Sequence, residues 1–376
     1  NYCSWWTSKG KVFRTHKGEL SLWVEKITLL TKTIKPLPEK FHGLKDVEQR
    51  YRQRYVDLIA NPEIREIFIK RTKIIQAVRE FLDSKGFLEV ETPILQPVYG
   101  GAAAKPFKTF MNDIKQEVYL SISPETYLKK LLVGGYEKVY TICKNFRNES
   151  IDRTHNPEFT MMECYQAYVD YGEMMKIAEE MYEYVAKKIN GNTIIEIEGK
   201  KIDLKAPWKR LTMGDAIKKY SNINVTDMAI KDLQKVIKDN KIKYEGELNK
   251  GLMTAAIFEG LAEQHLIEPV HIIDHPKETT ALCKNHRKNH HLIERFEPYI
   301  NTWEVGNGYS ELNDPVLQRE LLEDQEKQRK KGNEAVYPMD EDFVNSIEVG
   351  MPPAGGLGIG IDRMIMLITG QPSIRD

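Results

Sequence analysis

The chain has 376 residues, long enough for two or three domains and a large buried core. Fifty-five basic side chains balance 55 acidic ones, so binding to nucleic acid or membrane by net charge alone is excluded. Hydrophobic residues make up 41% and charged residues 29%, an ordinary globular composition. No apolar run approaches the roughly 18 residues of a membrane span. Four cysteines (Cys3, Cys143, Cys164, Cys283) occur without CxxC pairs, the pattern of a reducing compartment, and predict a cytoplasmic protein. The amino end lacks both a signal-peptide layout and an initiator methionine, and is expected to be cut from something longer.

Taken in order, residues 19–34 alternate and are rich in β-branched and aromatic side chains, predicting one or two strands before a Pro36-Leu-Pro38 linker. A lone hairpin is marginal in water, so this segment reads as the tail of a β-domain. Asn61-Pro62 predicts a cap and first turn of a helix with apolar residues at helical period up to Gly86. A short strand, 87–91, follows and stops at Pro93. Ser123-Pro124 opens a second helix ending at Gly134-Gly135, and 137–147 and 158–168 read as strands around a polar connector. Residues 173–189 are helical, and the Lys-rich stretch 205–265 reads as a helical insertion. Strands are expected at 270–274 and 295–313, then a long charged helix from Asp314-Pro315 to Gly332 and a strand–turn–helix over 355–369. Strands adjacent in sequence with helices between them predict an α+β fold on an antiparallel sheet.

Three clusters carry chemistry. The first is the long helix running into Gly86-Phe-Leu-Glu-Val-Glu-Thr-Pro93. In the second, Arg147 and Glu149 sit two apart and are expected to point the same way along one strand, with His155, Asn156 and Phe159 on the way back. An arginine fork beside an acid suits a phosphate and an amine, and Phe159 offers a ring to a base. The third is Gly356-Leu-Gly358-Ile-Gly360-Ile-Asp362-Arg363, where alternate glycines bare one strand face for a planar ligand and Arg363 opens an apolar helix. The spacing is not that of a dinucleotide fingerprint. Cys283, His286, His290 and His291, with His271 and His275 near, resemble a zinc spacing, but no second cysteine pair accompanies them and no zinc is expected.

In order and spacing these clusters resemble the three signature motifs of class II aminoacyl-tRNA synthetases, of the lysine–tRNA ligase kind. Further support lies in Tyr51-Arg-Gln-Arg-Tyr-Val-Asp-Leu-Ile, Gly100-Gly101-Ala-Ala-Ala, Ser123-Pro-Glu-Thr-Tyr and Tyr309-Ser-Glu-Leu-Asn-Asp-Pro. The resemblance implies a class II antiparallel sheet flanked by helices over 39–376, and an OB-type anticodon-binding remnant with linker over 1–38. It implies that Arg147 and Arg363 are catalytic, and that Glu149, His155, Asn156, Phe159, Glu297 and Gly360 join them in holding ATP. Glu297 and Glu304 would hold Mg2+. Gly101, Glu125, Arg147, Glu163, Asn307, Tyr309 and Glu311 would bind lysine, Glu125 at the α-amino group and Tyr309 with Glu311 at the ε-ammonium. An acid-lined pocket suits a cationic substrate, and no Lys or Arg interrupts 307–311. The implied partners are ATP, L-lysine, tRNA(Lys) and a second copy through the motif 1 region, with no membrane. Lysine-rich runs at 200–250 and 326–331 read as the wet faces of helices ahead of contacts to tRNA phosphates. A paralogue transferring lysine to a protein side chain is the alternative, and a non-catalytic scaffold the weakest, since all motif side chains are present.

Overall fold

A computed structural model describes residues 5–35, 44–244, 249–330 and 336–376. The chain divides into two compact units, 1–69 and 70–376. The Pro36–Pro38 linker lies outside the described residues.

In the first unit, β1 (Trp5–Arg14) and β2 (Leu20–Thr31) form an antiparallel hairpin closed by Thr15 N donating to Glu19 O at 2.9 Å. Trp5, Trp23 and Leu20 are exposed on it. Two short helices, α1 (Val47–Arg52) and α2 (Arg54–Ala60), were not legible in the sequence. They turn about the buried carboxylate of Asp57, which accepts from Arg50 Nε at 3.0 Å, Arg54 Nη1 at 2.5 Å and Asn61 Nδ2 at 2.6 Å. The Asn61 amide is therefore engaged with Asp57 and Leu44 O, the preceding turn, as the chain enters α3 (Glu63–Ser84).

The second unit takes most of α3, which Gly86 at φ +80° ends before β3 (Leu88–Glu89). A three-stranded sheet follows, of β4 (Leu95–Gln96), β5 (Lys108–Met111) and β6 (Gln116–Leu120). Then come α4 (Glu125–Val133), β7 (Lys138–Phe146), β8 (Glu158–Ala167), α5 (Tyr171–Asn190) and a β9 (Ile194–Ile197)–β10 (Lys200–Asp203) hairpin. The expected helical insertion begins with a strand, β11 (Lys209–Thr212), before α6 (Met213–Ser221), α7 (Ile230–Asp239) and α8 (Lys250–Leu261). Leu211 and Thr212 pair with Ile272 and Ile273, so that edge belongs to the sheet. The remaining elements are β12 (Val270–Pro276), β13 (Leu292–Ile300), β14 (Trp303–Glu304), β15 (Gly306–Ser310), α9 (Pro315–Lys330), α10 (Glu341–Gly350), β16 (Ala354–Gly360) and α11 (Ile361–Thr369).

The main sheet runs β11-β12-β13-β15-β16-β8-β7-β3, with β14 against β13. It is antiparallel through its middle, as expected, but mixed overall: β11 with β12 and β3 with β7 are parallel pairs at its two ends. The fold is thus α+β with a mixed sheet.

Alternation along the central strands decides what each face does. Leu357 and Ile359 of β16, Met162 and Cys164 of β8 and Phe296 of β13 bury into one core with α3, α5 and α11. Their neighbours Gly356, Gly358, Met161, Glu163, Arg295 and Glu297 are left to the other face and line a cleft.

Candidate active site

The cleft is a cavity of about 370 Å³. It brings together Gly101, Glu125, Arg147, Glu149, His155, Asn156, Phe159, Glu163, Glu297, Glu304, Asn307, Tyr309, Gly360 and Arg363 from segments over 200 residues apart in the chain. Of the residues expected in the site, only Glu311 is absent from the lining. It lies behind the wall, buried.

Arg147 does not share a strand with Glu149. β7 ends at Phe146, and Glu149 N donates to Arg147 O at 3.0 Å, so the two reach the cleft from a turn. The half-buried Arg147 guanidinium lies 5.1 Å from the Phe159 ring centroid and points two N–H groups at Ile122 O, at 3.4 Å each. Those long bonds leave most of its donor capacity free for a ligand. Burial works against its charge, while Glu149, Glu163 and Glu304 support it.

The connector folds around Asp152, whose Oδ1 accepts from Thr154 N and His155 N at 2.7 and 2.8 Å. Asp152 Oδ2 takes His155 Nδ1 at 2.7 Å, and His155 Nε2 meets Arg363 Nη2 at 2.9 Å. With Nδ1–H donated to Asp152, Nε2 is the acceptor for Arg363. Arg363 also donates to Glu304 O. Its neighbour Asp362 ties the motif segments together, accepting from Arg71 Nη1 of α3 and from Thr160 N of β8, each at 2.6 Å.

At the other end of the cleft stand the acids. Ser123 Oγ and Tyr165 OH donate to Glu163 at 2.8 and 2.9 Å. Burial, with Glu125 nearby, still pushes the Glu163 carboxyl up to about 7. Tyr309 OH donates to Glu125 Oε1 at 2.6 Å. The glycine strand works differently from the expectation at its buried end. A Cβ on Gly356 would fall 2.0 Å from Glu311 Oε1 and 2.5 Å from the Tyr165 ring, so protein side chains occupy that bare face. At Gly360 a Cβ would meet only Arg363, at 3.8 Å, and the face there is open to a ligand.

Cations also enter the acidic end, contrary to the reading of 307–311 alone. Arg295 of β13 donates to Asn307 Oδ1 at 2.9 Å and Glu297 Oε1 at 2.6 Å. Lys129 of α4 pairs with Glu125 and Glu311. Sequence reasoning missed Lys129, Arg295, Tyr165 and Tyr337. The only usable signal was Lys129 following Glu125 by one helical turn.

Glu304 of β14 pairs with Tyr299 across the β13–β14 turn, two residues along β13 from Glu297, and sits above the ordinary carboxylate range through burial and the Glu297 charge. Glu297, partly engaged by Arg295, and Glu304 offer hard oxygen donors of the kind that suit a divalent cation such as Mg2+. Cys283 and His275 are buried, His275 with Nε2 on Ile272 O and pushed down to about 3 by burial. His286 Nδ1 accepts from Lys288 N and Asn289 N. Among the described residues no three His, Cys, Asp or Glu converge on a common metal position. No helix among them is long and apolar enough to cross a membrane.

A sequence model of the class II tRNA synthetases (D, K and N) matches residues 46–376. The chain belongs to the class II tRNA synthetases. Similar proteins include "Lysine--tRNA ligase" of Clostridium novyi, 52% identical over 98% of this chain and 73% of that protein. "Lysine--tRNA ligase 2" of Methanosarcina mazei is 51% identical over 98% and 72%, and "Lysine--tRNA ligase" of Moorella thermoacetica 50% over 98% and 76%. For a synthetase of this class the cleft divides naturally. Arg147, Phe159, His155 and Arg363 form a cationic, aromatic end, and Glu125, Glu163 and Tyr309 an acidic one.

Proposed function

We propose that this chain activates L-lysine with ATP and transfers the lysyl group to tRNA(Lys). The observation that carries the reading is the acidic end of the cleft, where the carboxylates of Glu125 and Glu163 line the cavity and Glu311 stands behind it. An ammonium withdrawn from water needs such partners. Relatives of about half identical sequence bearing the name lysine–tRNA ligase support the same substrate.

In this reading the lysine carboxylate attacks the α-phosphorus of ATP, giving lysyl-adenylate and pyrophosphate, and the terminal ribose hydroxyl of tRNA then takes the lysyl group. No side chain acts as nucleophile; the work is positioning and charge stabilisation. Arg147, free of strong internal bonds, meets the α-phosphate and the substrate carboxylate. Phe159 and Arg363 flank the adenine over the open strand at Gly360, with Glu149, His155 and Asn156 holding the rest of the nucleotide. Glu297 and Glu304 would hold Mg2+, which when bound neutralises phosphate charge. We further read the active form as a cytoplasmic homodimer joined through the α3 region, with 1–38 as part of an OB-type anticodon-binding domain and 39–376 as the catalytic domain. The three described cysteines are free thiols, in keeping with a reducing compartment.

The test is ATP–pyrophosphate exchange with each of the twenty amino acids in turn, followed by charging of tRNA. Exchange with L-lysine alone, and lysyl transfer to tRNA(Lys), is the expected result. Exchange with another amino acid only, or none in a folded protein, overturns the proposal.

The Glu163 carboxyl adds a pH dependence. With its free-state value about 7, the group is increasingly protonated below that pH and loses its attraction for an ammonium. Lysine kcat/KM is expected to fall toward about tenfold per unit as pH drops below 7, while kcat at saturating lysine changes less. Glu163→Gln should flatten that limb; an unaltered limb in the variant assigns it elsewhere.

A further inference from the structure

Lys129 lies one helical turn beyond Glu125 on α4, with its side chain 0% exposed. Its Nζ donates to Glu125 Oε1 at 2.6 Å and pairs with Glu311 Oε2. The rings of Tyr309 and Phe343 stand 5.5 and 5.8 Å from the ammonium. Lys129 does not line the cavity; it sits behind Glu125 and Tyr309, which do. Burial works against its charge, but Glu125 and Glu311 outweigh burial and keep the ammonium charged. The pair is therefore an ionic cluster sealed into the wall of the acidic end.

Glu125 and Glu311 flank one resident ammonium; burial, with Glu125 and Glu163 nearby, pushes the Glu311 carboxyl well above the ordinary range, and Lys129 opposes that rise. A diamino acid brings two ammonium groups, and its carboxylate goes to Arg147. Lys129 takes Glu311 Oε2, while Oε1 lies beside the backbone of cavity-lining Gly356, buried and without a hydrogen-bond partner among the described residues. A buried acceptor with nothing to accept is costly until a donor arrives.

We propose that Lys129 is a positioning residue for the amino-acid end: as a resident counter-ion it holds Glu125 Oε1 and Glu311 Oε2 and fixes both side chains for an incoming diamino acid. This rests on the lysine-activating reading above. Without the ammonium, two like charges would share a dry site and one would take a proton. The ionisable groups around that position are Glu125 on the same helix, Glu163 and Tyr165 of β8, Tyr309 of β15, Glu311 beyond it, and Tyr337 and Cys283 from flanking loops. The tyrosines and the cysteine are all raised by burial and stay neutral near pH 7, so the carboxylates alone respond.

The experiment compares the full chain with Lys129→Met in lysine-dependent exchange from pH 6 to 9. The variant should raise KM for lysine about 30-fold or more at pH 7, with kcat within a few-fold. Its kcat/KM limb should move up by about one pH unit or more, because a second carboxyl must now ionise before lysine binds. A purely packing role would lower the melting temperature and leave the pH limb where the parent has it; that result overturns the proposal. Should the single variant fail to fold, Lys129→Met/Glu311→Gln removes both charges. In that double variant the limb is expected back at the parent position, with KM still raised and preference for L-lysine over L-norleucine reduced. A limb that stays displaced, or an unreduced preference, overturns it. The parent measured alongside separates the two failures. A parent without lysine-dependent exchange sinks the lysine reading itself, whereas an active parent with an unmoved variant limb sinks only the role of Lys129.

Discussion

Arg147→Ala is expected to abolish lysine-dependent ATP–pyrophosphate exchange, lowering kcat/KM by about 10³-fold or more. The guanidinium lines the cleft, lies 5.1 Å from the Phe159 ring centroid, and spends only two long hydrogen bonds on the protein. Its value is therefore reserved for a ligand, and a planar two-pronged donor fits both a phosphate and a carboxylate. Losing those long bonds costs little stability, so the variant should melt within a few degrees of the parent. Arg147→Lys should recover little, since a point charge on a flexible stem reproduces neither the fork nor the contact with the Phe159 ring. Exchange within about tenfold of the parent in a folded Arg147→Ala protein would remove Arg147 from its role.

The second large effect is expected at Gly356, where one methyl group is enough. A Cβ there would stand 2.0 Å from Glu311 Oε1 and 2.5 Å from the Tyr165 ring. The backbone cannot retreat, because Gly356 pairs with Tyr309 on one side and Tyr165 on the other. Glu311 and Tyr165 must move instead, and Tyr165 OH carries Glu163 with it. Gly356→Ala should therefore raise KM for lysine about 100-fold through a disordered acid wall, and lower stability by about 1–3 kcal/mol through overpacking. Nucleotide binding, read by fluorescence with an ATP analogue, should stay near the parent value because Gly360 lies two pleats along the strand and Arg363 beyond it on α11. A lysine KM within about threefold of the parent would show that the acid wall tolerates the methyl group.

Much of this architecture is legible before any coordinates. Residue types that punctuate backbone are the reliable ones: Gly86 ends α3, Gly134 ends α4 and Asp314-Pro315 opens α9 as expected. The motif residues are legible for a different reason. Arg147, Phe159 and Arg363 are chemically distinctive and lie close to strand ends, where backbone geometry brings them to one place. Lys129 escaped because a lysine four residues after a glutamate on a helix is ordinarily a solvated pair. Only tertiary packing, with Phe343 of α10 and Glu311 closing over it, turns that pair into a buried one. Glu149 was misplaced because strand periodicity was carried three residues past the last paired residue, Phe146. β11 was missed because it is four residues long inside a Lys-rich stretch, and it is a strand by virtue of its partner β12.

The position of β16 has a consequence for how the protein is made. This strand pairs with β15 on one side and with β8, some 190 residues earlier, on the other. Until residues 354–360 have left the ribosome, the sheet exists as two separate pieces, each ending in an unpaired strand, β15 or β8. Both pieces also lack the floor of the cleft, since Gly356, Gly358 and Gly360 belong to the late strand. A nascent chain stalled before β16 would expose two sticky strand edges and need shielding by a chaperone, whereas one extended past Ile374 would already hold every side chain that lines the cleft.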